Sequence, residues 1–398
     1  MKKLMILGAS ILQLPAIQQA KKMGLHVIAV DMNPDAIGFK EPGIQCEIIS
    51  TIDIPAVLKC AKENSIDGIM TLASDMPMQT VAVVAEKLGL VGVSKETALK
   101  ATNKAFMRDA LQGCNVPIPV YHRVSDYPEF VKAVDNIMNN GYKCIVKPAD
   151  NSGSRGVDLL KSQTPDNLQK AYDYSKTFSR TGELVVEEYM EGPEVSVETL
   201  SIDGNCHVIQ ITDKITTGAP YFVEMGHSQP SVLSEKIKEE IAEVAKAANK
   251  ALGIMDGPSH TEIKVTKDGP KIVELGARLG GDNITTHLVP LSTGVNMVEC
   301  CIKIALGEAP DLTVKCNKAA AIRYFKTSCG MVKNIIGIND AELVPGVKQV
   351  SIVHGIGEEL KEIKSSTDRA GFVISQADSV DEAIRDCEVA IGRVNFII

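Results

Sequence analysis

Over its first 95 residues the chain alternates short apolar runs with amphipathic stretches. Lys3-Leu4-Met5-Ile6-Leu7-Gly8 reads as a buried strand that ends in a glycine turn. Ile11 to Met23 reads as a helix stopped by Gly24, and Val27 to Val30 as a second strand closed by Asp31. Cys46 to Ile49, Gly68 to Leu72 and Leu90-Val91-Gly92 read as further short strands between helices. Consecutive strands separated by helices must run parallel, because only a crossover of a dozen or more residues returns the chain to the same sheet edge. Residues 1–95 therefore predict a doubly wound, Rossmann-like αβ domain. Lys2 and Lys3, an apolar stretch and Ala16 also trace the outline of a signal peptide, but the stretch runs on without a break into the strand–helix–strand pattern.

A parallel sheet with a glycine turn invites a dinucleotide site. The turn here is Gly8-Ala9-Ser10-Ile11-Leu12-Gln13. It lacks the second and third glycines of G-x-G-x-x-G, which let a pyrophosphate approach the backbone and the helix pack on the strand. Asp31 stands where a ribose-binding acid would stand, but an Asp at a strand end is more often a turn residue or a helix cap. The turn is read as structural. A nicotinamide oxidoreductase would rest on this sheet alone.

The chain has 398 residues, against about 150 for one domain, so two or three domains follow. Ser94 to Gly113 reads as one helical stretch, and Val116-Pro117-Ile118-Pro119 as a stiff connector at a domain boundary. Beyond it come a helix at Pro128 to Asn139, strands at Cys144 to Lys147 and Leu184 to Glu187, and longer strands at Val195 to Ile202 and Cys206 to Thr212. A helix at Ser234 to Leu252, a hairpin turning at Lys267-Asp268-Gly269, and a helix at Val380 to Ile391 follow. A net charge of -8 with no dense Lys/Arg run argues against a nucleic-acid partner. No stretch approaches the ~20 apolar residues of a membrane span, so no membrane is expected. None of the ten cysteines forms a C-x-x-C pair, which reads as reduced thiols in a cytoplasmic protein.

Three clusters carry chemistry. In Ile145-Val146-Lys147-Pro148, followed by Asn151-Ser152-Gly153-Ser154-Arg155-Gly156-Val157, a lysine at a strand end precedes a small flexible loop. Loop amides can wrap phosphate oxygens while the lysine supplies a point charge, although an ordinary solvent loop has the same look. In Val186-Glu187-Glu188-Tyr189-Met190-Glu191-Gly192-Pro193-Glu194 an apolar strand runs into acids and a Gly-Pro turn. Backbone groups at such a hinge can bind a planar base and a carboxylate can bind ribose; a linker with solvated acids is the plainer reading. The third cluster says most. Glu262 and Glu274 fall on two strands joined by a tight turn; counting inward from that turn places the strands antiparallel, and both carboxylates are expected on one face. Acids set among Ile263, Val265, Ile272 and Val273 are costly unless paired or bound to a metal. Two hard oxygen ligands beside a phosphate site suit magnesium rather than zinc. Arg278 follows closely and can neutralise a phosphoryl group or a carboxylate.

Taken in order, these residues resemble the ATP-grasp superfamily of carboxylate–amine ligases. The match runs through Asn103-Lys104, the Lys-Pro strand end and its loop, the acidic hinge, and Glu262, Glu274 and Arg278. Within that superfamily the chain looks most like the L-amino acid ligase (dipeptide synthetase) group. Gly257-Pro258-Ser259-His260-Thr261-Glu262, Gly226-His227-Ser228-Gln229-Pro230-Ser231, Gly276-Ala277-Arg278-Leu279-Gly280-Gly281-Asp282 and Asp368-Arg369-Ala370-Gly371-Phe372-Val373-Ile374 carry that likeness. The resemblance implies five segments: the domain at 1–95, a helical linker at 96–120, a small ATP-grasp lobe with its loop at 121–193, a large lobe with the metal site at 194–314, and a small α+β lid at 315–398. It implies that Lys104, Lys147 and the loop residues Ser152, Gly153, Ser154 and Gly156 bind ATP phosphates. Glu187, Tyr189 and Met190 would line the adenine hinge and Glu194 would bind ribose. Glu262 and Glu274 would bind Mg2+, with Mn2+ as a substitute, and Arg278 and His260 would face the amino-acid or acyl-phosphate pocket. The partners implied are a small-molecule carboxylate and amine, and a second copy in a homodimer. His227, His260 and His287 are the candidate bases for the amine. The superfamily commonly has Asn two residues after the second glutamate, where this chain has Gly276, and the loop has fewer glycines than in biotin carboxylases. A purine-synthesis type of ATP-grasp enzyme, forming carboxyphosphate or formyl phosphate, and a non-catalytic nucleotide sensor remain alternatives.

Overall fold

The computed structural model describes residues 1–398. The first strand, Lys3–Leu7, lies inside a four-stranded parallel sheet between His26–Asp31 and Gly68–Met70, with Gln45–Ile48 at one edge. Leu4, Met5, Ile6 and Leu7 are all fully buried, as a strand covered on both faces requires. Leu90-Val91-Gly92 does not join this sheet. The amide of Leu90 is taken by Ala85 O at the end of the preceding helix, so the chain turns away. The helix after the first strand begins at Leu14 rather than Ile11.

The helical stretch expected over 94–113 is two helices, Lys95–Thr102 and Lys104–Gly113. The break is at Asn103, whose extended backbone lets its side chain accept hydrogen bonds from the amides of Ala105 and Phe106. That cap aims Lys104 out of the first turn of the second helix.

Residues from Tyr121 onward form a four-stranded antiparallel sheet in the order Tyr121–Val124, Leu184–Glu188, Cys144–Pro148, Asp158–Leu159. Helices Tyr127–Asn139 and Pro165–Phe178 cover one face, around Phe130, Val146 and Tyr172. The opposite face looks toward the second helix of the linker, where Val185 packs on Ala105 and Ala149.

The largest layer is an eight-stranded sheet. Its order is Gly269–Gly276, Gly257–Thr266, Glu194–Ile202, Asn205–Thr216, Glu224–Gln229, Ala319–Tyr324, Gly371–Ala377, Val347–Ile352. The last three strands belong to the segment after residue 315, which extends the large-lobe sheet and covers its far end with helix Val380–Arg393. Helix Glu235–Leu252 packs against the acidic hairpin through Ile241, Ala245 and Leu252. One apolar core joins Leu4 and Ile6 of the first sheet to Cys300, Cys301 and Ile304, so the N-terminal domain is docked on helix Met297–Ala305. All ten cysteines are free. No single helix is long and apolar enough to cross a membrane.

Candidate active site

The two sheets meet at a cleft enclosing about 920 Å³, part of it open to solvent. Lys147 and Ile145 form its small-lobe wall, and Glu262, Lys264, Val273 and Glu274 its large-lobe floor. Ser152, Gly153 and Ser154 form one rim, and Glu188, Tyr189 and Met190 the hinge end. Lys104, Glu194, Lys214 and Phe222 also line it.

Glu262 and Glu274 are direct cross-strand partners in the antiparallel pair. The register slips just beyond Glu262, so Ile263 faces Ile272 and Val273 bulges. Lys104 Nζ donates to Glu274 Oε1 at 2.8 Å and to Asn151 O at 2.6 Å. The linker helix, the flexible loop and the acidic hairpin therefore converge on one ammonium group.

Lys214, on strand Asn205–Thr216, lies within salt-bridge distance of Glu194 (2.8 Å), Glu262 (3.2 Å) and Glu224 (3.5 Å). Burial would lower its pKa, but the three carboxylates, Glu262 foremost, outweigh that and hold it well above the ordinary lysine value. Burial likewise works to raise Glu262, and Lys214 and then His260 hold it well below the ordinary carboxylate value. The sequence reading missed Lys214. Its signal was a lysine at the inward parity of a strand that already carried Thr212.

Glu187 requires a correction. It is not among the cleft-lining residues; Glu188 takes that place beside Tyr189 and Met190. Glu187 lies behind Lys147, fully buried. Arg108 Nε donates to its Oε1 at 2.6 Å, and Lys147 Nζ donates to its Oε2 at 2.9 Å. Its backbone pairs with Tyr121 and Ile145 inside the sheet, so no backbone group is left for a base. Burial would raise its pKa, yet Arg108 and then Lys147 bring it down to about 2.

Gly156 is corrected in the same way. It does not line the cleft where the phosphates would lie. A Cβ there would come within 2.6 Å of Pro148 and 2.7 Å of Phe178, and its carbonyl accepts from Ser175 Oγ. It anchors the loop, whereas a Cβ on Gly153 would meet nothing.

Arg278 and His260 lie beside the cleft rather than in its wall. Arg278 makes a two-pronged pair with Asp75 of the N-terminal domain, at 2.8 and 3.2 Å. Burial opposes its charge, and Asp75 more than restores it, raising the pKa above the usual arginine value. Gly276, at the position of the common Asn, lies against this pair. A Cβ there would sit 3.0 Å from Asp75 Oδ1 and 3.2 Å from the Arg278 guanidinium, so any side chain would crowd the pair. His260 Nδ1 is 2.5 Å from Glu198 Oε1, and its Nε2 is 3.6 Å from Glu262 Oε1. Burial disfavours the charged ring, but Glu198 raises its pKa to about 9. His227 pairs with Asp282, which Arg369 also grips at 2.7 and 2.8 Å; His287 pairs only with its neighbour Thr286.

The donor set fits a hard divalent cation. Glu262 and Glu274 present carboxylate oxygens from facing positions on the floor of one cleft. No group of three or more His, Cys, Asp or Glu side chains is clustered to hold an ion alone. Two protein carboxylates with phosphate and water completing the shell is the pattern expected of magnesium.

Comparison with known proteins gives a consistent picture. An ATP-grasp domain model matches residues 140–286, and a model of L-amino acid ligase C-terminal domain 2 matches residues 323–398. A phosphoribosylamine–glycine ligase of Methanocaldococcus jannaschii is 25% identical over 94% of this chain and 89% of its own. An L-arginine-specific L-amino acid ligase of Bacillus subtilis is 28% identical over 78% of this chain and 75% of its own. The crystal structure of an L-amino acid ligase from Bacillus licheniformis superimposes with a TM-score of 0.84, covering 100% of this chain and 98% of that one, at 24% identity. At that identity the likeness is one of fold.

Proposed function

We propose that this chain, which is an ATP-grasp carboxylate–amine ligase, uses ATP to join two amino-acid substrates through an acyl phosphate. The observation that carries the reading is the convergence on one cleft of Lys104, Lys147, Glu262 and Glu274 from the linker, the small lobe and the hairpin. The C-terminal domain match supports amino acids as the substrates.

ATP would lie with its base at Glu188, Tyr189 and Met190, its ribose at Glu194, and its phosphates between Lys147, Lys104 and the loop amides of Ser152, Gly153 and Ser154. Glu262 and Glu274 would hold magnesium, with manganese as a substitute, and the ion would supply charge that polarises the phosphate oxygens. A substrate carboxylate oxygen attacks the γ-phosphorus, the bond to the ADP oxygen breaks, and the acyl phosphate forms. A neutral amine nitrogen then attacks the acyl carbon, the bond from that carbon to the phosphate oxygen breaks, and the departing phosphate takes up the proton that the nitrogen loses. Oxide is a poor leaving group and phosphate a good one, which is why the first step is needed. Lys147 offsets charge on the transferring group. Arg278, held by Asp75 beside the cleft, would face the acyl phosphate once the substrate carboxylate extends past Glu274. The loop from Asn151 to Val157 closes over the site and keeps water from the acyl phosphate.

A second reading has its own support, since the phosphoribosylamine–glycine ligase likeness spans nearly the whole chain. One experiment separates the two. Phosphate release from ATP and magnesium is followed across pairs of amino acids and across glycine with phosphoribosylamine, with mass spectrometry of the products. Release that needs two amino acids and yields a dipeptide mass is the expected result. Release only with the ribosylamine would transfer the assignment to the second reading.

A further inference from the structure

Arg108 does not line the active-site cleft, yet it is the largest fully buried side chain in the molecule. It lies one turn after Lys104 on the linker helix. Its guanidinium reaches Glu187 of the small lobe through two nitrogens, at 2.6 and 3.2 Å, and donates to Val273 O of the acidic hairpin at 2.7 Å. Nη1 has no partner. A buried guanidinium is expensive to desolvate unless its charge is matched.

The charges give the reason. Glu187 accepts from Arg108 on both oxygens and from Lys147 on Oε2. If Lys147 were its only cation, the pair would be neutral, and the carboxylate would draw the ammonium back from the cleft. With Arg108 present the three groups carry a net single positive charge. Arg108 shares the charge of both carboxylate oxygens, and Lys147 is tied at Oε2 alone, which leaves its other two N–H donors for a ligand. The low pKa of Glu187 agrees with a carboxylate claimed by two cations.

We propose that Arg108 is a positioning residue that neutralises Glu187 so that Lys147 presents an unspent positive charge to the ATP phosphates. This rests on the reading of the cleft as a nucleotide site. Its consequence is a charge-compensation pattern that a merely structural arginine would not produce. In Arg108→Met the Glu187–Lys147 pair is neutral and phosphate binding weakens. In Arg108→Met/Glu187→Gln the lysine is released and binding returns.

The test is calorimetric titration of the full chain with magnesium and the non-hydrolysable nucleotide AMP-PNP, with circular dichroism to verify folding. Arg108→Met is expected to raise Kd by about tenfold, the size of one lost charge-assisted contact. The double variant is expected to recover most of that loss. Arg108→Lys, which keeps the charge but not the fork, is expected to lose less than Arg108→Met. If Arg108→Met does not fold, the double variant, which buries neither charge, is compared with Lys147→Met/Arg108→Met/Glu187→Gln; there Lys147 must still account for about a tenfold change. A double variant that binds no better than Arg108→Met, or a lysine without effect in the neutral background, overturns the proposal. Wild-type protein that fails to bind AMP-PNP would instead overturn the nucleotide reading itself.

Discussion

Two glycine turns in this chain follow strands and precede helices or loops in ways that suit phosphate. Only the second is open for it. In the turn at Gly8 the amides are already taken: Gly8 donates to Val30 O, Ala9 to Asp31 Oδ2, and Ser10 to Gln13 Oε1. The Gln13 side chain lies over Gly8 and donates to Leu72 O at 2.6 Å, filling the place a pyrophosphate would need. In the loop from Asn151 to Val157 the amides of Gly153, Ser154 and Arg155 make no hydrogen bond within the chain. That loop faces Lys147 and Lys104 across the cleft. What separates a phosphate site from a turn is thus the set of unoccupied donors and nearby cations, not the presence of glycine.

The largest expected effect tests the second region through its carboxylates. Glu274→Gln keeps the shape of the hairpin and removes one of two facing charges. ATP turnover should fall on the order of a hundredfold or more while the circular dichroism spectrum stays unchanged. Full turnover in that variant would remove the metal assignment.

The second test concerns what stands behind each region. The cleft is backed by buried charge at Glu187, the Gly8 turn by the neutral Gln13 network. The folded pKa of Glu187 is about 2 and lies below its ordinary value of 4.5, so its contribution is complete above pH 4.5 and fades as pH falls toward 2. At one unit per 1.36 kcal/mol the fading amounts to about 3 kcal/mol. Urea midpoints of the wild type and Glu187→Gln should converge over that window. A gap between them that stays constant to pH 2 would contradict the ion-pair account. Gln13→Ala should instead cost about 2 kcal/mol at every pH, because Leu72 O is left without its donor, and should leave nucleotide affinity alone.

How legible the molecule was depended on sequence distance. The parallel sheet and the existence of the acidic hairpin follow from local pattern, but the register that the tight turn sets would place Glu262 against Val273, and it is the bulge at Val273, which the pattern does not announce, that brings Glu262 opposite Glu274. Strand parity does not separate Glu187 from Glu188 correctly, because Glu187 shares the face of the cleft residues Ile145 and Lys147; it is withdrawn from the cleft by Arg108 and Lys147, which close over its carboxylate. The grip of Asp75 on Arg278 spans 203 residues, and that of Arg108 on Glu187 spans 79. No periodicity encodes such pairs, since they arise only when separate domains dock. The break at Asn103 was hidden for a different reason. Asn is disfavoured inside helices and favoured at their N-caps, but a single Asn in a polar helical stretch does not mark a break until the extended backbone shows it as a cap.

The finest test makes one substitution in both turns. Gly8 and Gly153 have φ values of +98° and +67°, both in the region that disfavours side chains. At Gly8 a Cβ would also sit 2.7 Å from Gln13, while at Gly153 nothing lies within 4 Å. Gly8→Ala therefore adds a clash to backbone strain and should cost about 2 kcal/mol of stability with no change in nucleotide binding. Gly153→Ala meets only the strain, which an exposed loop can relieve by shifting. Its stability should stay within about 0.5 kcal/mol of wild type. Such a shift re-aims the amides of Ser154 and Arg155, so AMP-PNP affinity should fall by about twofold to fivefold. Thermal melts and calorimetric titrations of the two variants read both quantities. If the outcomes were reversed, with Gly8→Ala binding weakly and Gly153→Ala melting early, the roles assigned to the two turns would have to be exchanged.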